Sequence, residues 1–75
     1  MSIRKYIVED EFKIIILKDK IDILNYKEID SIEESKIIIR HEEGIVVLNG
    51  ISLSIKKLLE DELLVSGEIN KIEFR

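Results

Sequence analysis

Along the chain, aliphatic residues fall into short runs that alternate with polar ones at a period of two. That is the spacing of strands with one buried face. The clearest run spans residues 44–55, Gly-Ile-Val-Val-Leu-Asn-Gly-Ile-Ser-Leu-Ser-Ile. Asn49-Gly50 lies in its middle. Asn-Gly suits a type I′ turn, because both central residues of that turn need positive φ. The run therefore predicts a tight hairpin in which Leu48 faces Ile51, Val47 faces Ser52, Val46 faces Leu53 and Ile45 faces Ser54. One face would then carry Val46, Leu48, Ile51 and Leu53, with Ile55 next along it, while the two serines take the other face.

The same reading extends in both directions. Residues 12–17 predict a strand with Phe12, Ile14 and Ile16 on one side and Ile15 and Leu17 on the other. Lys18-Asp19-Lys20 is a turn, and Ile21-Asp22-Ile23 opens the next strand. A loop over residues 25–27 is expected to bring Ile29 against Ile23, with Ile29 and Ile32 in a short third strand. Residues 36–41 form another, with Ile37 and Ile39 inward and Ile38 outward, and Glu42-Glu43-Gly44 turns the chain. Further on, residues 62–67 place Leu63 and Val65 inward and Leu64 outward. Ile69, Ile72 and Phe74 belong to a last strand, with a turn or bulge at Asn70-Lys71. Leu58 or Leu59 is expected to plug one end of the core. A helix over residues 53–64 competes less well, since Ile51, Leu53 and Ile55 keep a period of two.

A weak internal repeat runs through this pattern. Ile21-Asp-Ile-Leu-Asn25 recurs as Ile45-Val-Val-Leu-Asn49, and Lys36-Ile-Ile-Ile39 recurs as Glu62-Leu-Leu-Val65. Such a period can mark a solenoid. The Asn-Gly hairpin favours antiparallel neighbours instead. The predicted fold class is all-β, a small antiparallel meander of about seven to eight short strands forming a sandwich or roll. Residues 12–75 would make a single β domain, preceded by a tail or edge strand over residues 1–11. Ile3, Tyr6 and Ile7 beside Arg4 and Lys5 in that tail suggest an amphipathic contact less well than a simple edge strand.

Composition and length sharpen the picture. The apolar 45% is nearly all Ile, Leu and Val, with no alanine, which disfavours a helical bundle. Seventy-five residues bury a small core, so self-assembly is a ready source of further stability. Cysteine is absent, which excludes disulfides and thiolate metal sites. A net charge of −4, with both signs mixed along the chain, shows no basic face for nucleic acid. No apolar run approaches the roughly 20 residues of a membrane-spanning helix. A cytoplasmic protein is the expectation.

Catalytic chemistry is hard to find. His41, the one histidine, stands beside Glu42 and Glu43, where a solvated charged turn outweighs a metal or acid–base site. The serines lack a nucleophile-elbow context. Gly44, Gly50 and Gly67 are isolated and make no phosphate loop. Asp19, Asp22, Glu28, Asp30, Glu33 and Glu34 occupy solvent-facing positions of the alternating pattern, and no calcium-loop spacing is present. No catalytic, cofactor-binding or metal-ligating residue is assigned, and the chain reads as a non-enzyme. The informative residues are apolar ones on the second face: Ile15, Leu17, Ile38, Ile45, Val47 and Leu64. Either a second layer covers them or they form a candidate interaction face, since large exposed apolar patches mark contact sites. A small ligand- or ion-binding regulatory β-domain is the competing reading. A closed internal pocket would favour it.

From Gly44 onward the spacing is Gly44-x-Val46-x-Leu48-x-Gly50-x-x-Leu53-x-Ile55-x-x-Leu58-x4-Leu63-x-Val65-x-Gly67-x-Ile69-x-x-Ile72-x-Phe74. This resembles the YabP/YqfC family of sporulation proteins of endospore-forming bacteria. The upstream part, Ile21-x-Ile23-x-Asn25-Tyr26-x-x-Ile29-x-Ser31-Ile32, is similar too. Asn25 stands where that family usually has glycine, and asparagine tolerates the positive φ such a turn needs. The resemblance implies a non-enzymatic structural or adaptor protein of the cortex and coat stage. It would work in the mother-cell compartment, at the forespore surface, through protein contacts. A sporulation membrane protein is the implied partner, with a homo-oligomer as the other prospect. The resemblance brings no catalytic residues and no cofactor.

Overall fold

The computed structural model describes residues 11–75, and the tail or edge strand expected over residues 1–11 lies, but for Glu11, outside the described residues. They form six strands, β1 (Lys13–Ile16), β2 (Lys20–Leu24), β3 (Glu28–Ile32), β4 (Lys36–His41), β5 (Gly44–Leu58) and β6 (Glu62–Phe74). All six join in a single antiparallel sheet in the order β1-β2-β6-β5-β4-β3. The all-β class holds, with fewer and longer strands than predicted and no helix among the described residues.

The long hairpin of β5 and β6 is the backbone of the fold, and it replaces the turn predicted at Asn49-Gly50. Asn49-Gly50 is not a hairpin. Both residues lie inside β5, and neither has positive φ. Leu48 pairs with Ile37 on one side and Ile72 on the other, and Val46 pairs with Ile39 and Phe74. Central placement between two strands buries Val46 and Leu48 completely, which a local two-residue turn would not achieve. Gly50 serves close approach rather than a turn. A Cβ there would overlap the Glu68 carbonyl oxygen. Of the turn or bulge expected at Asn70-Lys71 the structure has the bulge, with Asn70 the extra residue opposite Asn49 and Gly50. The real reversal between β5 and β6 is at residues 59–61, closed by Leu59 N–H donating to Glu62 O at 2.8 Å. Leu58 and Leu59 are therefore exposed at a turn and plug nothing.

Bulges fold the sheet onto itself. Between Ile51 and Ser54, β5 carries one residue more than β6, with Ser52 at φ 55° and Gly67 opposite at φ 124°. A bulge bends its strand and increases local twist. It also breaks the parity of the 51–55 alternation. Leu53 stays buried, whereas Ile51 turns out to solvent. The β3–β4 turn clamps this bend, as Gly50 N–H donates to Ser35 O and Leu53 N–H to Glu34 O. On one side of the bend lie β1, β2, residues 62–66 of β6 and residues 54–58 of β5 (layer A). On the other lie β3, β4, residues 44–50 of β5 and residues 68–74 of β6 (layer B).

The inner faces of the two layers make one core. Ile21, Ile23, Leu63 and Val65 come from layer A, and Ile37, Ile39, Val46 and Leu48 from layer B, with Leu53 at the bend. The link from β2 to β3 crosses between layers, so Ile29 pairs with Ile39 and not with Ile23. Asn25 turns this corner at φ 65°, the conformation asparagine was expected to supply. Tyr26 beside it is buried, and its hydroxyl donates to the Leu59 carbonyl of the β5–β6 turn. Half of the internal repeat dissolves here. Ile21 and Ile23 face the core, whereas Ile45 and Val47, their counterparts, face outward. The other half survives, since Ile37 and Ile39 match Leu63 and Val65 as fully buried pairs.

Candidate functional site: the outer faces of the folded sheet

Because the inner faces meet, the outer faces of the layers turn away from each other. The six aliphatic residues of the predicted second face are therefore divided between them. Ile15, Leu17 and Leu64 belong to layer A, and Ile38, Ile45 and Val47 to layer B.

On layer A one row runs Ile15, Asp22, Leu64 and Lys57 across four strands. Ile15 is 42% exposed, Leu17 50% and Leu64 half-buried. Ile16, assigned to the inner face by alternation, is 67% exposed, because β1 is an edge strand with nothing beyond it among the described residues. Asp22 departs from the solvent-facing position expected of it. Its Oδ1 is buried without a hydrogen-bond partner. Burial pushes its carboxyl above the ordinary carboxylate value, the neighbouring Glu62 pushes it further, and Lys57 opposes both. Lys57 Nζ instead lies 3.5 Å from Glu62 Oε2.

On layer B the row is Ser31, Ile38, Val47 and Glu73. Val47, at the centre, is only 3% exposed yet stands apart from the core cluster. Its neighbours in the row, Ile38 and Glu73, flank it from both sides, and long charged side chains shield apolar surface with their stems. Ion pairs frame the patch. Arg40 reaches Asp30 at 2.8 Å and Glu28 at 3.6 Å. Glu73 is held by Lys71 and by Arg75, each at 3.2 Å. The hydrogen bond from Lys71 leads in keeping the Glu73 carboxyl below its ordinary value. Ile38 and Ile45 are thus the reachable aliphatic residues of this outer row and its neighbour, and Val47 supports them from below. Sequence reading missed this ionic frame and the Asp22 cluster. Their partners come from different strands, and only the alternation around Asp22 hinted at a face shared with Leu64.

Phe12 stacks on His41 with ring centroids 4.1 Å apart, joining the start of β1 to the end of β4. His41 Nδ1 accepts the Glu43 N–H and so caps the β4–β5 turn. Among the described residues no three His, Asp or Glu side chains converge to hold a metal ion. Two surface clefts of about 180 and 230 Å³ are smaller than typical small-molecule sites, roughly 300–1,000 Å³. Phe74, placed by its spacing in the last strand, is 71% exposed at the end of β6.

These features define a class, small all-β domains built on one folded antiparallel sheet with aliphatic, ion-pair-framed outer faces. Residues 10–75 match the sequence model of the YabP family, and the chain belongs to that family. Membership associates it with sporulation. A search of curated proteins finds no match. No helix among the described residues is long and apolar enough to cross a membrane.

Proposed function

We propose that this chain is a structural or adaptor protein of endospore formation that works through protein–protein contacts and has no enzymatic activity. The observation that carries this reading is the outer face of layer A, where Ile15, Leu17 and Leu64 present aliphatic surface beside the edge of β1. Family membership supplies the sporulation setting. Cytoplasmic placement in the mother cell, against the forespore surface, suits a chain whose described residues form no membrane-crossing helix. A membrane protein of the same programme is the natural partner, with the exposed aliphatic face as the contact.

The test is localisation of a fluorescent fusion in sporulating cells. Wild type is expected to gather at the forespore boundary. Ile15→Asp combined with Leu17→Asp should disperse it while circular dichroism stays unchanged, since both side chains are at least two-fifths exposed. A fusion that stays diffuse throughout sporulation, or a variant that localises like wild type, would overturn the reading.

A further inference from the structure

We infer that a second copy of this chain pairs with residues 68–74 of β6 by antiparallel strand addition, extending layer B of one copy into layer B of the other. In its 62–66 half β6 lies between β2 and β5, but β2 ends at Lys20 opposite Ser66. Beyond the bend, residues 68–74 have β5 as their one paired strand among the described residues. The Arg75 N–H donates to Ile45 O, and the Ile45 N–H to Arg75 O, both at 2.8 Å. Backbone groups alternate in direction along an antiparallel strand. Phe74 and Ile72 therefore point their N–H and C=O groups away from β5, toward the open edge.

The side chains on this edge are complementary to themselves. Pairing two copies antiparallel about Ile72 sets Ile72 against Ile72 as a hydrogen-bonded pair, which uses the outward backbone groups. The flanking positions are the non-hydrogen-bonded pairs, where side chains approach most closely. Those pairs are Lys71 against Glu73 of the second copy, and Glu73 against its Lys71. The two-fold axis thus creates two opposite-charge pairs, whereas either residue facing itself would repel. The other open edges lack this match. β3 carries Glu28 and Asp30, the free side of β5 carries Lys56 and Lys57, and β1 carries a single Lys13.

Shape agrees with charge. The cleft of about 230 Å³ lies at the start of the open edge, lined by Ile16, Leu17, Glu68 and Ile69 among others. Phe74 lies at its far end, 71% exposed. A two-fold axis perpendicular to the sheet keeps side chains on their own face, so Phe74 of each copy falls opposite Asn70 of the other, beside Ile69 and this cleft. The shared strand is short, so the dimer is of the weak, concentration-dependent kind. The strand pairing rests on residues 68–74 and the layer A face on Ile15 and Leu64, with Leu17 bordering both, so Lys71 and Glu73 test this contact apart from Ile15.

The experiment is sedimentation of the purified chain over a wide concentration range, with circular dichroism as the check on folding. Wild type should pass from one chain to two as concentration rises. Lys71→Glu alone and Glu73→Lys alone should each shift that transition to about tenfold higher concentration, since both charge pairs turn repulsive. An equimolar mixture of the two variants should restore association near the wild-type level. In the mixed pair the introduced glutamate of one chain meets the introduced lysine of the other, and the native Glu73 of the first meets the native Lys71 of the second. Restoration cannot come from pairing within a chain. A wild-type chain that stays monomeric, reversals that leave the transition in place, or a mixture no better than its components would each overturn the proposal.

Discussion

Single residues in this chain do different work from what their chemical type suggests. Tyr26 acts as a lock. Its buried hydroxyl ties the layer crossing to the β5–β6 turn, and burial, then the nearby Asp61 and Glu60, push its ionisation upward. Tyr26→Phe removes one hydrogen bond and should lower stability by about 1 kcal/mol, read by denaturant unfolding. Asp22 works against the fold at neutral pH. Its folded-state value lies above the unfolded one, so the native state holds the proton where the unfolded chain has lost it. Its contribution to stability therefore declines as pH rises from the ordinary 3.8 through the raised folded-state value. Asp22→Asn should raise the melting midpoint at neutral pH and flatten the pH profile over that window, measured by melts across pH. Val47 and Ile38 are neighbours in one row with unequal exposure. Val47→Asp should cost about 3 kcal/mol or more by burying a charge, while Ile38→Asp costs less and acts at the surface.

At the scale of elements, the long hairpin shows how local turn chemistry loses to pairing. Asn-Gly favours a turn by its tolerance of positive φ, a preference of limited size. Placing residues 44–50 between β4 and β6 buries Val46 and Leu48 and satisfies both sides of their backbone. The consequence is measurable. Asn49→Thr would damage a type I′ turn, but within β5 it should change stability by no more than about 0.5 kcal/mol. Gly50→Ala should cost about 1–3 kcal/mol, because the added methyl overlaps the Glu68 carbonyl and the Leu53 side chain. Equilibrium unfolding of the two variants separates strand from turn. The bulge at residues 51–54 is the element that alternation could not reveal. One extra residue reverses the facing of everything after it, which is why Ile51 and Leu53 part company.

At the scale of the whole molecule, the bend turns one sheet into two packed layers and leaves distinct outer faces and open edges. A single flat sheet would have gathered Ile15, Leu17, Ile38, Ile45, Val47 and Leu64 into one patch. The folded sheet gives layer A its own contact surface and layer B an ion-pair-framed one. Substitution at Ile15 should therefore act independently of those at Lys71 and Glu73. Combining them should give additive losses of localisation and self-association, as expected for sites without shared partners.

Local pattern alone was enough for the strand-forming segments, the inward pairs Ile21/Ile23, Ile37/Ile39 and Leu63/Val65, and the turns that open at Lys18 and at Glu42. Each depends on side-chain alternation or local polarity, which neighbours in sequence express directly. It also carried the family, through the spacing of its glycines and aliphatics, and the positive φ at Asn25. Long-range pairing settles the rest: β5 runs straight through Asn49-Gly50, β2 joins β6 while β3 joins β4, and the sheet bends at Ser52 and Gly67. Those choices depend on which distant strand covers which face. The energy of that burial is shared among residues far apart in the chain, so no local pattern announces it.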